Sequence, residues 1–414
     1  MTDFHQPRLV STIHQLTDPD IDEREKLLKK CAARRPISLI LPALYSEVRS
    51  PALPLILSEL SKVDYLHEVV FSMNRMSATE FSHAKSFIKD HLGSKQAYSI
   101  IWNDGERVSA LYDQLAKAEL TSYVPGKGYN VWMAYGYLLA KGETRVVATH
   151  DSDILSYHRD MLWRLCLPTT HPNMGFEYCK SYYGRVSDRM YGRATRLFVI
   201  PLLRALTKVI GDHPLLEYLE NFRYPLSGEF SCSAELAKVL MIPGDWGLEV
   251  GMLCEVYRNI TTRRICQVDL GMNFEHKHQH LGADDVGTDP DVRPSKGLMK
   301  MAHDIALTLL AALSADGVVL GRSDLKTIRL TYIRTAKDLI SRYRDDAILN
   351  ALSYHRHEEA AAVEAFSLAL DSAAHEYVSE KYQPPEIPSW NRVNSALPNL
   401  GDELLRGVLA DMEE

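Results

Sequence analysis

Cysteine is scarce in this chain of 414 residues, which contains only six. No two of them form a Cys-x-x-Cys pair, which argues against a zinc ribbon and a thioredoxin-type redox site. Scattered cysteines in a chain of this length are typical of proteins from the reducing cytosol. We therefore expect free thiols and a cytoplasmic location.

The chain also lacks long basic tracts, a secretory leader and apolar runs of membrane-spanning length. Its formal net charge is -7, with acidic and basic residues interspersed, so neither nucleic acid nor a membrane surface is an expected partner. Residues 1–5 contain neither a basic nor an apolar leader segment. The most apolar stretch, residues 305–313, is too short to cross a bilayer and predicts a buried helix.

Strand and helix patterns alternate over the first 150 residues. The apolar runs predict strands at residues 37–41, 68–72, 98–102 and 146–148, and the helical periodicities lie at 51–63, 78–92, 110–120 and 129–140. This alternation predicts an α/β fold with a parallel sheet and helices on both faces. Ligands of such sheets bind at the carboxyl ends of the strands.

The pattern divides the chain into three regions. Residues 1–35 predict a helical N-terminal arm, and residues 36–290 predict the α/β domain. Within that domain, strand-like pieces at 177–183 and 264–270 are mixed with helical patterns at 197–210 and 234–240. Residues 291–414 predict a helical C-terminal extension.

Two aspartates follow the predicted strand at residues 146–148. Asp151, Ser152 and Asp153 place two carboxylates two residues apart, and in an extended chain such residues point to the same side. Hard divalent cations prefer oxygen ligands of this kind. The alternative is an Asx-turn, in which the aspartates bond their own backbone. The motifs further along the chain favour the cation site.

A lysine between two glycines precedes a predicted helix. Gly126 and Gly128 allow backbone N–H groups to approach an anion, and Lys127 adds a positive charge. The spacing is not that of a Walker A loop. A simple turn is the alternative interpretation of this segment.

A glycine, a hydroxyl and two arginines open the helix predicted near residue 197. Gly192, Arg193, Ala194, Thr195 and Arg196 suit a phosphate or carboxylate at a helix N-terminus. In the alternative, Thr195 is simply the N-cap of a solvated helix. The residues alone leave both interpretations open.

A glutamate stands between apolar neighbours in a turn-rich segment, residues 244–251. Glu249 lies between Leu248 and Val250, and a carboxylate in apolar surroundings needs a partner because burying it unpaired is costly. Sugar hydroxyls and an arginine are the two candidate partners. A second turn-rich segment, residues 225–230, contains Glu229.

Three histidines alternate after the strand predicted at 264–270. His276, His278 and His280 suit a zinc site, and one of them alone suits a mixed Asp/His site for Mn²⁺ or Mg²⁺. A polar surface segment is the third interpretation.

Taken in order, these motifs resemble the glucosyl-3-phosphoglycerate synthase family. The members of that family are retaining glycosyltransferases of the GT-A fold, a Rossmann-like nucleotide-sugar-binding domain, and are closely related to mannosyl-3-phosphoglycerate synthases. The resemblance spans residues 36–285. It rests on Pro42-Ala43-Leu44 with Glu47, Gly126-Lys127-Gly128, Asp151-Ser152-Asp153, Gly192-Arg193-Ala194-Thr195, residues 225–230, Gly247-Leu248-Glu249-Val250-Gly251 and the histidine segment.

The resemblance implies a role for each motif. Asp153 would bind the metal together with His276 or His278, Lys127 would approach the donor diphosphate, and Glu249 would hold the donor sugar. The implied catalytic residues are therefore Asp153, Glu249 and Lys127. The implied nucleotide pocket consists of Pro42, Ala43, Leu44, Glu47, Ser72, Lys127, Asp151, Ser152 and Leu226, and the implied acceptor site of Gly192, Arg193, Ala194, Thr195 and Glu249.

The implied reaction is transfer of glucose from a nucleoside-diphosphate glucose to 3-phosphoglycerate, with Mg²⁺ or Mn²⁺ as cofactor. The long helices predicted in the C-terminal extension favour a homodimer, because amphipathic helices need a surface to cover. Two alternatives stay open: a sister transferase that uses nucleoside-diphosphate mannose or D-glycerate, and a noncatalytic nucleotide-sugar-binding protein.

Overall fold

The computed structural model describes residues 6–272, 275, 281, 293–379, 382 and 386–414. The strands are β1 (Ser11–Ile13), β2 (Ile37–Leu44), β3 (Leu66–Asn74), β4 (Tyr98–Trp102), β5 (Val146–Thr149), β6 (Tyr178–Tyr182), β7 (Phe230–Ser233), β8 (Ile242–Pro243), β9 (Ile265–Asp269) and β10 (Glu386–Ile387). The helices of the first 260 residues are α1 (Ile21–Ala32), α2 (Ala52–Leu60), α3 (Ala78–Leu92), α4 (Glu106–Lys117), α5 (Lys127–Lys141), α6 (Arg159–Thr170), α7 (Ile200–Ile210), α8 (Pro214–Glu220), α9 (Ala234–Val239) and α10 (Leu248–Asn259). Five helices follow among the described residues: α11 (Gly297–Ala315), α12 (Arg322–Leu349), α13 (Arg356–Tyr377), α14 (Trp390–Ala396) and α15 (Leu400–Glu413).

Eight strands form one sheet in the order β1-β9-β6-β7-β5-β2-β3-β4. Every neighbouring pair is parallel except the two that involve β7, which runs antiparallel to both β5 and β6. The predicted parallel sheet is therefore confirmed for seven strands, and β7 is the exception. Its sequence, Phe-Ser-Cys-Ser, is too short and too polar to stand out as a strand by pattern.

Alternating residues of the central strands face two separate hydrophobic clusters. Ile40 and Val70 pack into one cluster, and their neighbours Leu39 and Val69 pack into the other. Successive side chains of a strand point to opposite faces, so a strand covered by helices on both sides must be apolar at every position. This explains the continuous apolar runs from which the strands were predicted.

The N-terminal region, predicted as a helical arm, contains the helix α1 and also the short strand β1. β1 pairs in parallel with β9 at the edge of the sheet. The Gln6 side chain fixes Thr12 in this strand, because it both donates to the carbonyl and accepts from the amide of Thr12 at 2.7 Å. Three residues carry no periodicity, so the tertiary partner decides their conformation.

The C-terminal helices pack on the α/β sheet region rather than standing apart from it. Helix α13 packs on both α11 and α12, and all three contact the segment that leads into α7, whereas α15 returns to α4, α5 and β4. Within the described part of the chain, α11 is the one helix long and apolar enough to span a membrane, and 67% of its most apolar window is buried here. The prediction of a buried helix around residues 305–313 is confirmed.

Two tryptophans fasten the end of the chain to α5. The rings of Trp132 and Trp390 are stacked at 4.6 Å. The Trp390 indole N–H donates to the carbonyl of Trp132, and the Trp132 indole N–H donates to the carbonyl of Pro388, both at 2.8 Å. Gly136 makes room for this contact, because a Cβ there would lie 1.9 Å from the Trp390 ring.

We expect Trp390→Ala to lower the free energy of unfolding by about 3–5 kcal/mol, since it leaves a cavity and removes the hydrogen bond from the Trp390 indole to the Trp132 carbonyl. Urea denaturation followed by circular dichroism measures the change. Val319→Ala, at a 91% exposed site before α12, is the control and should change the value by at most about 0.5 kcal/mol. A similarly small change for Trp390→Ala would refute the fastening role.

Candidate active site

The strand directions bring several loops to one edge of the sheet. β2, β3, β5, β6 and β9 all end there, and β7, being antiparallel, begins there. The segment Ser227-Gly228-Glu229, which precedes β7, therefore lies beside the Asp151-Ser152-Asp153 turn, which follows β5. Residues that lie far apart in the chain thus face the same region.

Lys127 connects two of the predicted site residues. Its Nζ lies 2.5 Å from Oδ1 of Asp151 and 2.8 Å from Oε1 of Glu249. Burial by itself would lower the pKa of Lys127, but the two carboxylates raise it well above its usual range. The amine is therefore a permanent cation at neutral pH, suited to stabilise negative charge and unsuited to act as a base.

The Asp-Ser-Asp turn is held by its neighbours on both sides. The hydroxyl of buried Ser152 donates to the carbonyl of Pro42 at 3.0 Å. Gly228 packs so closely that a Cβ there would lie 2.3 Å from the Asp151 carboxylate. Asp151 and Asp153 both remain partly exposed. The turn thus presents carboxylate oxygens to solvent at the sheet edge, which is the donor type that Mg²⁺ and Mn²⁺ prefer.

Glu249 lies in the first turn of α10, where the sequence predicted only a turn-rich segment. Its side chain is 13% exposed, and its partner is Lys127 rather than an arginine. Small residues let the helix approach: a Cβ at Gly251 would lie 2.3 Å from Pro243, and one at Gly247 2.0 Å from Thr308. The carboxylate therefore reaches the same lysine as Asp151.

Lys180 is a site residue that the sequence analysis missed. It is 1% exposed on β6, and its Nζ donates to the carbonyl of Ser227 at 2.7 Å. Burial lowers the pKa of Lys180 to about 8, an effect that nearby Glu249 opposes and Lys127 reinforces. Buried Glu229 accepts a hydrogen bond from the Ser181 hydroxyl at 3.4 Å. A lysine inside an apolar strand was the signal available in the sequence.

The predicted nucleotide residues line the adjoining strand ends. Ser72 is fully buried at the end of β3; its hydroxyl accepts from Asn103 and its carbonyl accepts from Asn130, both at 3.0 Å. These two asparagines were not predicted. Of the other residues predicted for the nucleotide pocket, Pro42, Ala43 and Glu47 are buried, and Leu44 and Leu226 are half-buried.

The predicted acceptor segment adjoins the site through an aromatic contact. Gly192 has a left-handed φ of 75°, and a Cβ there would lie 3.6 Å from the Tyr224 ring. Tyr224 packs on Tyr183 with ring centroids 4.8 Å apart. Burial would lower the pKa of Arg185, but Tyr224, Tyr183 and Asp153 raise it. Arg185, also missed from sequence, is thus close to both Tyr224 and Asp153.

The helix that follows Gly192 does not begin with Thr195 as its N-cap, which was the alternative interpretation of this segment. Ala194–Val199 is a π-helical turn that continues directly into α7, a feature often found at functional sites. Thr195 makes no capping hydrogen bond. Its hydroxyl is buried and hydrogen bonds to none of the described residues. Arg193 and Arg196 both bind carboxylates of α13.

The predicted metal ligands are only partly within the described chain. His276 and His278 lie outside the described residues, and among the residues that are described no cluster of three or more His, Cys, Asp or Glu side chains is suited to a metal. Glu275, next to His276, is described: its carbonyl accepts from the amide of Leu155 at 2.8 Å, and its amide donates to the Ser156 hydroxyl at 3.0 Å. Glu275, the residue that precedes His276 in the sequence, therefore lies close to the Asp-Ser-Asp turn.

Two curated relatives are similar to the chain over its whole length. The glucosyl-3-phosphoglycerate synthase of Persephonella marina is 40% identical over 411 residues and covers 99% of each chain. That of Methanococcoides burtonii is 38% identical over 421 residues, which is 100% of this chain and 98% of the relative. No protein-family model matches the chain.

Solved structures are similar to the sheet and its helices. A crystal structure of glucosyl-3-phosphoglycerate synthase from Mycobacterium tuberculosis, in complex with Mn²⁺, UDP-glucose and phosphoglyceric acid, has a TM-score of 0.53 and 25% identity. The match covers 74% of this chain and 88% of that one. A second structure of that protein, with Mg²⁺ and UDP, has a TM-score of 0.52 and 24% identity. The predicted fold class, a GT-A glycosyltransferase domain with a helical C-terminal region, is confirmed.

The lowered pKa of Lys180 predicts a pH-dependent stability. The unfolded chain binds a proton on this amine up to about pH 10.5, whereas the folded protein releases it near pH 8. Between these two pH values the unfolded state therefore holds more protons than the folded state. The contribution of the Lys180 amine to the free energy of unfolding consequently rises with pH through that window.

Lys180→Met removes the pH-dependent contribution of this amine to the free energy of unfolding. We expect the wild type to gain on the order of 3 kcal/mol relative to Lys180→Met between pH 7 and pH 10.5. Urea unfolding at several pH values measures the difference. For Lys208→Met, at an exposed site on α7, the plot of the free energy of unfolding against pH should be parallel to that of the wild type. A Lys180→Met curve that is also parallel would contradict the lowered pKa.

Proposed function

Because the chain belongs to the glucosyl-3-phosphoglycerate synthase family, we propose that it transfers glucose from UDP-glucose to 3-phosphoglycerate. The product is glucosyl-3-phosphoglycerate, a precursor for a compatible solute or a polysaccharide. The observation that carries the proposal is Lys127, which lies within 2.8 Å of both Asp151 and Glu249. This arrangement supplies a fixed cation for a leaving diphosphate and a carboxylate for sugar hydroxyls in one place.

The donor lies across the ends of β2, β3 and β5. Pro42, Ala43, Leu44, Glu47, Ser72 and Leu226 form the nucleoside pocket, and Asp151 and Ser152 hold the ribose or the metal shell. Glu249 accepts hydrogen bonds from the hydroxyls of the glucose. The support is that these residues converge on the sheet edge where ligands of α/β proteins bind.

A divalent cation, Mn²⁺ or Mg²⁺, binds to Asp153 and to His276 or His278. When bound, it neutralises charge on the donor diphosphate. The support is the partly exposed Asp153 and the position of Glu275, the residue before His276, which hydrogen bonds to Leu155 and Ser156. The choice between the two histidines is left to their separate substitution.

The reaction proceeds as a front-face substitution with retained configuration. The bond between the sugar C1 and the β-phosphate oxygen breaks, while the acceptor hydroxyl oxygen bonds to C1 from the same face. The hydroxyl proton passes to the departing phosphate oxygen. Protonated Lys127 stabilises the negative charge that develops on this phosphate. Glu249 keeps the sugar oriented.

The acceptor is anionic, and Gly192, Arg193, Ala194 and Thr195 bind it. An arginine fork matches carboxylate and phosphate oxygens. The buried Thr195 hydroxyl, which has no hydrogen-bond partner among the described residues, is a further donor for such a group.

We further propose that the enzyme works in the cytoplasm as a homodimer. All six cysteines are free thiols, as expected in a reducing compartment. Helix α12 exposes the apolar residues Leu330, Ile348 and Leu349, which suit a surface that a second copy covers. A monomeric mass in light scattering would refute the dimer.

The deciding experiment crosses UDP-, GDP- and ADP-sugars with 3-phosphoglycerate and D-glycerate in the presence of Mg²⁺ or Mn²⁺. Formation of glucosyl-3-phosphoglycerate from UDP-glucose is the expected result. A mannosyl product, or a preference for D-glycerate, would identify the sister transferase instead. Nucleotide binding without transfer to either acceptor would indicate the noncatalytic protein.

Asp153→Asn should lower kcat/KM by about 100-fold or more, because it removes a carboxylate from the cation site. The thermal midpoint should stay close to that of the wild type, since Asp153 is partly exposed. Asp113→Asn, an exposed aspartate on α4, serves as the control and should leave both values unchanged. Retained activity in Asp153→Asn would overturn the metal assignment.

A further inference from the structure

Two neighbouring glutamates of α13 bind the arginine of the acceptor segment. Nε of Arg193 donates to Oε1 of Glu359 at 2.8 Å, and Nη2 of Arg193 donates to Oε2 of Glu358 at 2.7 Å. These contacts join residues about 165 positions apart in the chain. The C-terminal helices therefore reach the segment on which acceptor binding depends.

The two glutamates differ in burial and in the number of arginines they bind. Glu359 is 3% exposed, and its second oxygen accepts from Nη1 of Arg196 at 2.8 Å. Arg196 is itself fixed, because it also donates to the carbonyls of Tyr191 and Met190. The side chain of Glu358 is 53% exposed and binds Arg193. Glu359 thus belongs to a buried network, whereas Glu358 is a solvated surface partner.

We propose that Glu359 is a positioning residue that orients Arg193 for the acceptor, and that Glu358 is a competing anion which the acceptor displaces. The inference rests on the proposed function, since it takes Arg193 as an acceptor ligand. It gives the C-terminal extension a part in acceptor binding that the glycosyltransferase motifs do not cover.

The physical basis is the different strength of the two ion pairs. An exposed pair such as Arg193 with Glu358 contributes little, up to about fivefold in an equilibrium constant, so an incoming phosphate or carboxylate can replace it. A buried carboxylate that binds two arginines fixes their geometry, and removing its charge leaves both guanidinium groups undercompensated. Glu358 therefore opposes acceptor binding and Glu359 supports it.

A second observation also points to a ligand at this place. Thr195, two residues from Arg193, is only 5% exposed. Its hydroxyl hydrogen bonds to none of the described residues. Buried polar groups normally have a partner. An acceptor oxygen held by Arg193 would supply one.

The test is steady-state kinetics with UDP-glucose and 3-phosphoglycerate for Glu358→Gln, Glu359→Gln and Glu359→Asp. Glu358→Gln should lower the KM for 3-phosphoglycerate two- to fivefold. Glu359→Gln should raise it about tenfold or more, with kcat and the KM for UDP-glucose within about twofold of the wild type. Glu359→Asp keeps the charge and should recover part of the loss.

Glu364→Gln, at an exposed position of the same helix, is the matched control and should behave as the wild type. Opposite shifts of the acceptor KM in the two Gln variants support the inference, because a merely structural helix contact would not produce them. Equal shifts, or none, would overturn it even if the wild type makes glucosyl-3-phosphoglycerate. Failure of the wild type to transfer glucose to 3-phosphoglycerate would instead refute the proposed function.

Discussion

The site depends on the balance of charge around Lys127. Asp151 and Glu249 come from a strand end and a helix start, and the amine of one lysine contacts both. Without it, two carboxylates would face each other in partly buried surroundings, which is costly. A second buried amine, that of Lys180, binds the loop carbonyl of Ser227 and faces the same glutamate. Carboxylates can therefore gather at this sheet edge because two lysines compensate them.

The reversed strand β7 is the topological device that completes the site. Because β7 runs against β5 and β6, its amino end lies where their carboxyl ends lie. Gly228 then packs directly on the Asp151 carboxylate, and Glu229 is buried at the same edge. In an all-parallel sheet this segment would have emerged at the opposite edge. One antiparallel strand thus adds a second set of residues to the ligand-binding side.

The C-terminal helices pack against the elements that carry the site residues. Thr308 of α11 packs against Gly247 at the start of α10, which orients Glu249. Glu359 of α13 holds Arg193 and Arg196. Trp390 fastens the chain to α5, the helix that begins at Lys127. The extension therefore supports three separate elements of the sheet-edge site, and its packing makes it continuous with the core.

The sequence by itself determined the central strands and their helices, because apolar periodicity is a local property and residues 37–41 or 98–102 record it directly. It also determined the motifs, since Asp151 and Asp153 follow a strand end. It did not reveal β1, β7, the helical position of Glu249 or the buried Lys180. Only the tertiary structure decided which charges meet: Lys127 and Glu249 are 122 residues apart, and Arg193 and Glu359 are 166 apart. Such pairings depend on topology and burial, which no local pattern encodes.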